Sequence, residues 1–191
     1  METFLTSTLL VAIAEIGDKT MLLAIVLATR FRKPLPISLG ILVATLANHA
    51  LAALVGHAAA SLLESVAFQV GVALSFIAVA LWTLVPDELD DEGEPKPLGS
   101  VFLTTAAAFF LVEMGDKTQI ATVALGARFE NLIAVTAGTT LGMMIANVPA
   151  VLLGNALVQR ISMKAVRIVA ALSFVVAGLW MAAEVLPDLA G

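Results

Sequence analysis

The sequence has no cysteine, which removes disulfides and thiolate metal sites and leaves oxygen, nitrogen and thioether groups as possible metal donors. The redox compartment stays open. Charge is scarce too: Asp, Glu, Lys and Arg make up 13% of the 191 residues, against 60% hydrophobic. No His-Glu-x-x-His, Gly-x-Ser-x-Gly or phosphate-binding loop occurs, so nothing supports an intramembrane hydrolase, an ATP-driven pump or another enzyme. Neither a prosthetic group nor a nucleic-acid partner is expected, and the chain has no room for a separate soluble domain.

What it has is apolar length. The mean hydropathy is +1.02, and six stretches reach the roughly 20 residues that cross a bilayer core. They run Phe4 to Thr29, Pro36 to His57, Val66 to Val85, Val101 to Ala127, Leu132 to Val158 and Ile168 to Leu186. An all-α integral membrane protein with six transmembrane helices is therefore expected. The first stretch is too long for a signal peptide, lacks a basic start and carries Glu15 and Asp18, so it is expected to be retained. Between the third and fourth stretches lie six acids: Asp87, Glu88, Asp90, Asp91, Glu92 and Glu94. This segment reads as a solvated linker, with a role in concentrating cations as the alternative.

The chain repeats itself across that linker. A shift of 98 places Glu15 on Glu113, Arg30-Phe31 on Arg128-Phe129, Gly40 on Gly138, Gly56 on Gly154, Leu74-Ser75-Phe76 on Leu172-Ser173-Phe174 and Leu81-Trp82 on Leu179-Trp180. Residues 1–85 and 101–191 thus form two three-helix repeats around an acidic linker, 86–100. Three spans is an odd number, so the second repeat enters the membrane from the opposite side, the inverted-topology plan of many secondary transporters. Apart from Lys19 and Lys117, one side collects Arg30, Arg32, Lys33, Lys96, Arg160, Lys164 and Arg167, and the other only Arg128. The positive-inside rule then makes the linker cytoplasmic and both termini external.

Within the first and fourth spans the hexapeptide Glu15-Ile16-Gly17-Asp18-Lys19-Thr20 returns as Glu113-Met114-Gly115-Asp116-Lys117-Thr118. A charge at mid-membrane costs about 3 kcal/mol or more, so intramembrane carboxylates usually face a cavity and handle ions or protons. Glu15 lies 11 residues into its span and Glu113 12 into its own, so each is about 17 Å deep and the two meet at one level. On a continuous helix, Glu15, Asp18 and Lys19 share a face, as do Glu113, Asp116 and Lys117. A break at Gly17 or Gly115 would bring in the Thr20 and Thr118 hydroxyls. Each motif sums to −1, so the pair matches one divalent cation, and its hard oxygens suit Ca²⁺, Mn²⁺ or Mg²⁺ better than Zn²⁺ or Cu⁺. When the metal leaves, crowded and poorly solvated carboxylates favour protons. The bland reading is a simple Glu15–Lys19 ion pair, which two copies with an extra carboxylate each argue against.

The doubled motif, the three helices per half and the acidic linker resemble the GDT-type cation transporter family, relatives of the Golgi manganese and calcium transporters and of bacterial manganese exporters. The resemblance covers essentially the whole chain. It implies a cation/proton antiporter for Mn²⁺ or Ca²⁺, with Glu15, Asp18, Glu113 and Asp116 as ion ligands and Lys19, Thr20, Lys117 and Thr118 in support. Family members commonly follow the motif with Gln; Gln119 fits, whereas Met21 offers a thioether instead. A bacterial inner membrane and a monomer or homodimer are expected.

Other polar residues are candidates of lower rank. Asn48 and His49, with Asn147 in the equivalent helix, would complete a coordination shell or make inter-helix hydrogen bonds. His49 and His57 read first as lone structural histidines, Met143-Met144 as packing, and Trp82 and Trp180 as interfacial anchors. Three functions stay in view: Mn²⁺ export, Ca²⁺/proton antiport, and a membrane assembly or regulatory protein that transports nothing.

Overall fold

The computed structural model describes residues 1–60, 65–85, 97–129, 131–154 and 162–190. Most of the acidic linker, the end of the fifth predicted span and Arg160 lie outside them. Among the described residues there are eight α-helices and no strand: α1 (Glu2–Glu15), α2 (Lys19–Phe31), α3 (Pro34–Ala59), α4 (Val66–Thr83), α5 (Val101–Glu113), α6 (Lys117–Arg128), α7 (Leu132–Leu153) and α8 (Met163–Ala190). Among the described residues, four helical segments are long and apolar enough to cross a membrane: Pro34–Ala59, Val66–Thr83, Leu132–Leu153 and Lys164–Val185.

The first and fourth predicted spans are not continuous helices. Each breaks inside its motif, and the backbone says why. After Glu15, Ile16 turns extended (φ −65°, ψ 114°), Gly17 takes φ +85° and Asp18 is again extended as it caps α2. The second copy repeats this at Met114 (φ −63°, ψ 119°), Gly115 (φ +80°) and Asp116. A positive φ is cheap only for glycine, so the glycine of the motif is what permits the break. The shared helical face expected for Glu15, Asp18 and Lys19 therefore does not form.

Packing follows the repeat. α1 and then α2 run along α7, and α5 and then α6 run along α3, while α3 and α7 pack on each other. Small residues let these backbones touch, as in membrane bundles generally. A Cβ on Gly138 would meet the Phe4 carbonyl at 2.6 Å and Ser7 Cβ at 3.0 Å; a Cβ on Gly40 would meet the Phe102 carbonyl at 2.9 Å and Thr105 Cβ at 2.8 Å. All three positions in each contact differ by 98. α4 pairs with α8, where the rings of Phe76 and Phe174, again 98 apart, have centroids 6.2 Å from each other.

Two apolar cores lie on either side of the motifs. One joins α1, α3, α4, α6, α7 and α8 through residues such as Leu10, Ala53, Phe76, Leu125, Val135 and Phe174. The other, towards the linker, joins only α2, α3, α5 and α7, through residues such as Met21, Leu27, Ile41, Phe109 and Val151. Large apolar side chains including Leu5, Leu39, Leu74, Leu81, Leu172 and Leu179 point outward, whereas Glu15, Asp18, Glu113, Asp116 and Lys117 are buried. This inversion of the soluble-protein pattern is what a bilayer solvent requires. Trp82 and Trp180 are both partly exposed on the outer surface.

Candidate metal centre

The two breaks bring the motifs together at the centre of the bundle. Each places a helix C-terminus (α1 or α5), ending in Glu15 or Glu113, beside a helix N-terminus (α2 or α6) capped by Asp18 or Asp116. The dipole ends at such a break favour anions on one side and cations on the other. Asp18 N–H donates to the Glu15 carbonyl and Asp116 N–H to the Glu113 carbonyl, each at 3.1 Å, closing the two turns alike.

The lysines cross over. Lys19 Nζ lies 2.9 Å from Asp116 Oδ1, and Lys117 Nζ lies 2.9 Å from Asp18 Oδ1. Each ammonium thus neutralises the aspartate of the other copy. A reading based on i,i+4 spacing cannot find this arrangement, because it assumes the continuous helix that the glycine interrupts. The two threonines turn back on their own motifs: Thr20 Oγ1 donates to Glu15 Oε2 and Thr118 Oγ1 to Glu113 Oε1, both at 2.5 Å.

With each aspartate paired to a lysine, the two glutamates are the motif carboxyls left without a lysine partner among the described residues. Ligand atoms of Glu15, Glu113 and Asp116 all lie within 4.8 Å of one another, and all three residues are buried. Oxygens bound to one ion at about 2.0–2.6 Å stand roughly 3–5 Å apart, so these three fit a single hard cation. Glu15 Oε1, Glu113 Oε2 and Asp116 Oδ2 are buried without a hydrogen-bond partner. Buried polar atoms are seldom left so in a native protein, and an ion is one of the few ways to satisfy them.

The remaining candidates are placed as follows. Gln119 accepts from Gly115 N–H through Oε1 at 2.7 Å and donates to Asn48 Oδ1 at 3.4 Å, while Asn48 Nδ2 donates to the Phe110 carbonyl at 3.0 Å. These two amides therefore tie α3 to the second break. Met21 takes the place of Gln119 at the first break, where Gly17 N–H points at its sulfur at 3.4 Å. Asn147 donates to the Met143 carbonyl and sulfur on its own helix, leaving Oδ1 buried without a partner. His49, fully buried, has Nε2 at 3.8 Å from Glu113 Oε1. His57 is exposed. A crevice of about 190 Å³, including its open mouth, reaches the Asp18–Lys117 pair past Thr83, Arg167 and Ala170. Sequence reasoning missed Arg167 as part of this approach, counting it only as an interfacial charge.

The comparisons with known proteins agree with this chemistry. The family model described as divalent cation/proton antiporter GDT1 matches residues 3–91 and 101–188, so that it covers both halves and leaves only part of the linker unmatched. A Vibrio cholerae protein, provisionally named a manganese exporter, is 48% identical over 162 residues, covering 84% of this chain and 80% of that protein. A GDT1-like protein of Synechocystis is 33% identical over 90% of this chain and 92% of its own length. GDT1-like protein 5 of Arabidopsis thaliana is 27% identical over 94% of each. No solved structure matches. The buried double motif and the match over both halves say the same thing: the chain belongs to the GDT1 family of divalent cation/proton antiporters.

Proposed function

We propose that the protein exports a divalent cation, Mn²⁺ in first place, from a bacterial cytoplasm in exchange for protons. The observation that carries this reading is the meeting of three buried carboxylates, Glu15 from one half with Glu113 and Asp116 from the other, within 4.8 Å. Glu15 and Glu113 match the charge of one divalent ion once Lys19 and Lys117 have neutralised the aspartates. The same two carboxylates take up protons when the ion leaves, because an unpaired charge in a dry site is costly. Thr20 and Thr118 orient them; Asp18 completes the set when its lysine moves away. Ca²⁺ is the alternative cargo, since oxygen ligands suit both ions.

On this reading α1–α2 and α5–α6 are two broken transmembrane helices. They make six spans with α3, α4, α7 and α8, and the two halves are inverted repeats. The recurrence of backbone contacts at an offset of 98 supports it, as does the family match to both halves. The basic bias of the sequence puts the linker in the cytoplasm of an inner membrane. A cysteine at Asp91 that reacts with an impermeant thiol reagent in intact cells would reverse that orientation.

The deciding experiment is counter-flow in proteoliposomes with Mn²⁺, Ca²⁺ and Mg²⁺ under an imposed pH gradient. Uphill Mn²⁺ movement driven by the gradient is expected. Absence of any metal flux would leave a membrane assembly or regulatory protein as the better reading, and flux indifferent to the gradient would leave a uniporter or channel.

A further inference from the structure

We propose that His49 is a nitrogen ligand to the transported ion and that this one side chain sets the preference for Mn²⁺ over Ca²⁺ and Mg²⁺. The proposal rests on the carboxylate site described above and concerns only its selectivity. His49 sits on α3, outside both motifs, with no exposed surface. Its Nε2 lies 3.8 Å from Glu113 Oε1, the oxygen that accepts from Thr118, within the roughly 3–5 Å that separates two ligands on one ion. His49 stands just outside the group of three carboxylates within 4.8 Å, so it reaches the ion by a small shift of its ring towards them. Neither ring nitrogen makes a hydrogen bond of full geometry, and the ring also approaches the Thr139 backbone. Metal-binding imidazoles commonly place one nitrogen on a backbone carbonyl and the other on the ion; the approach to Thr139 offers that carbonyl without a formed hydrogen bond.

The position is not symmetric. Shifted by 98, His49 falls on Asn147, whose Nδ2 is held by Met143. One half therefore brings an imidazole to the centre and the other an amide. A neutral imidazole leaves the charge match with a divalent ion unchanged but alters which ion is held best. Ca²⁺ and Mg²⁺ are oxygen-seeking ions that gain little from nitrogen, whereas Mn²⁺ is a transition ion and accepts it. By intrinsic affinity an imidazole–carboxylate site still holds Cu²⁺ and Zn²⁺ more tightly than Mn²⁺, so the preference assigned to His49 is against Ca²⁺ and Mg²⁺ alone.

The test is a selectivity ratio. Initial rates and half-saturating concentrations for Mn²⁺, Ca²⁺ and Mg²⁺ are measured in proteoliposomes for the wild type, His49→Asn and His57→Asn. His49→Asn installs the residue found at position 147. The Mn²⁺/Ca²⁺ ratio should fall about tenfold or more, the scale of losing a metal-site interaction, with Ca²⁺ transport retained. His57→Asn, at an exposed position, should leave the ratio unchanged. If His49→Asn keeps the wild-type ratio, or loses both ions by the same factor, the proposal is overturned while the transport reading stands. If the wild type moves none of the three ions, the transport reading itself has failed. A second readout does not depend on the variant folding: Mn²⁺-loaded wild type in detergent should show ¹⁴N modulation by pulsed EPR that changes on ¹⁵N-histidine labelling. A Mn²⁺ signal without nitrogen coupling rejects the ligand role.

Discussion

The two ends of this molecule carry related sequences and are packed differently. At the end where α1 begins and α6 finishes, α4 leans on α6 and α8 on α1, their side chains merge into one core, and Arg128 pairs with Glu184 to tie α6 to α8. At the linker end the core contains no residue of α4 or α8, and a crevice opens beside the Asp18–Lys117 pair. The glycines record the same difference. A Cβ on Gly56 would meet the Val123 carbonyl at 2.0 Å, whereas one on Gly154, its counterpart, would meet nothing within 4 Å. A duplicated sequence has no internal reason to prefer one end. Each end keeps a crevice, one of about 250 Å³ beside Leu10, Leu125, Arg128 and Trp180 and one of about 190 Å³ beside Asp18, so the ends differ in which helices pack there. On the proposed transport reading, such a difference is what alternating access around a fixed site would use.

The midplane is where the two ends should be equivalent, and the largest effect is expected there. Glu113→Gln and Asp116→Asn should each lower transport about a hundredfold, the loss of about 3 kcal/mol from a charge-assisted contact, with folded protein still recovered. Glu15→Gln should match Glu113→Gln. Normal transport by both Glu113→Gln and Asp116→Asn would place the site elsewhere; a large gap between the two glutamates would show that the copies are not equivalent even at the centre.

Proton competition is the next effect in size. Protons and metal seek the same oxygens, so falling pH fills them with protons and weakens apparent Mn²⁺ affinity, by up to about tenfold per pH unit for each proton displaced. Glu15→Gln replaces one titratable carboxylate by a permanently neutral amide and should flatten part of that dependence. Wild-type affinity that stays constant between about pH 5.5 and 8, a window wide enough for buried carboxylates to show proton binding, would sink the exchange mechanism.

How far the sequence revealed all this depends on which link carries the information. Apolar length and the offset of 98 were legible, because the bilayer and the repeat impose them residue by residue. The helix breaks were legible only as an option: Gly17 and Gly115 permit a positive φ without demanding it. The crossed Lys19–Asp116 and Lys117–Asp18 pairs were not, since helical spacing points each lysine at its own motif. Nor was the difference between the ends, because related sequences do not say which helices each end packs against.

The glycine contrast yields a smaller effect, on stability. Gly56→Ala forces a methyl into the α6 backbone and should cost about 1–3 kcal/mol, the range of overpacking, seen as a lower melting temperature in detergent. Gly71→Ala lies on α4, where a Cβ meets nothing within 4 Å, and should be neutral or gain up to about 1 kcal/mol of helix propensity. Equal effects at the two sites would mean that the tight end is less tight than drawn.

The smallest effect separates the two breaks themselves. Gly115 N–H is satisfied by Gln119, whose amide nitrogen reaches Asn48. Gly17 N–H faces the sulfur of Met21, and the position equivalent to Asn48 is Ala146. The differences go together physically: a Gln at position 21 gains a better acceptor for Gly17 but leaves its own amide nitrogen facing a methyl in a buried setting. An orphaned buried donor costs about 1–3 kcal/mol and a neutral hydrogen bond returns about 1. Met21→Gln should therefore be neutral to mildly destabilising, even though it makes the two motifs more alike. Adding Ala146→Asn restores the partner that Gln119 has, so the double variant should recover stability, with a coupling energy of about 1 kcal/mol in the mutant cycle. Strict additivity would show that the amide pair at the second break is incidental, and that a thioether caps such a break as well as an amide does.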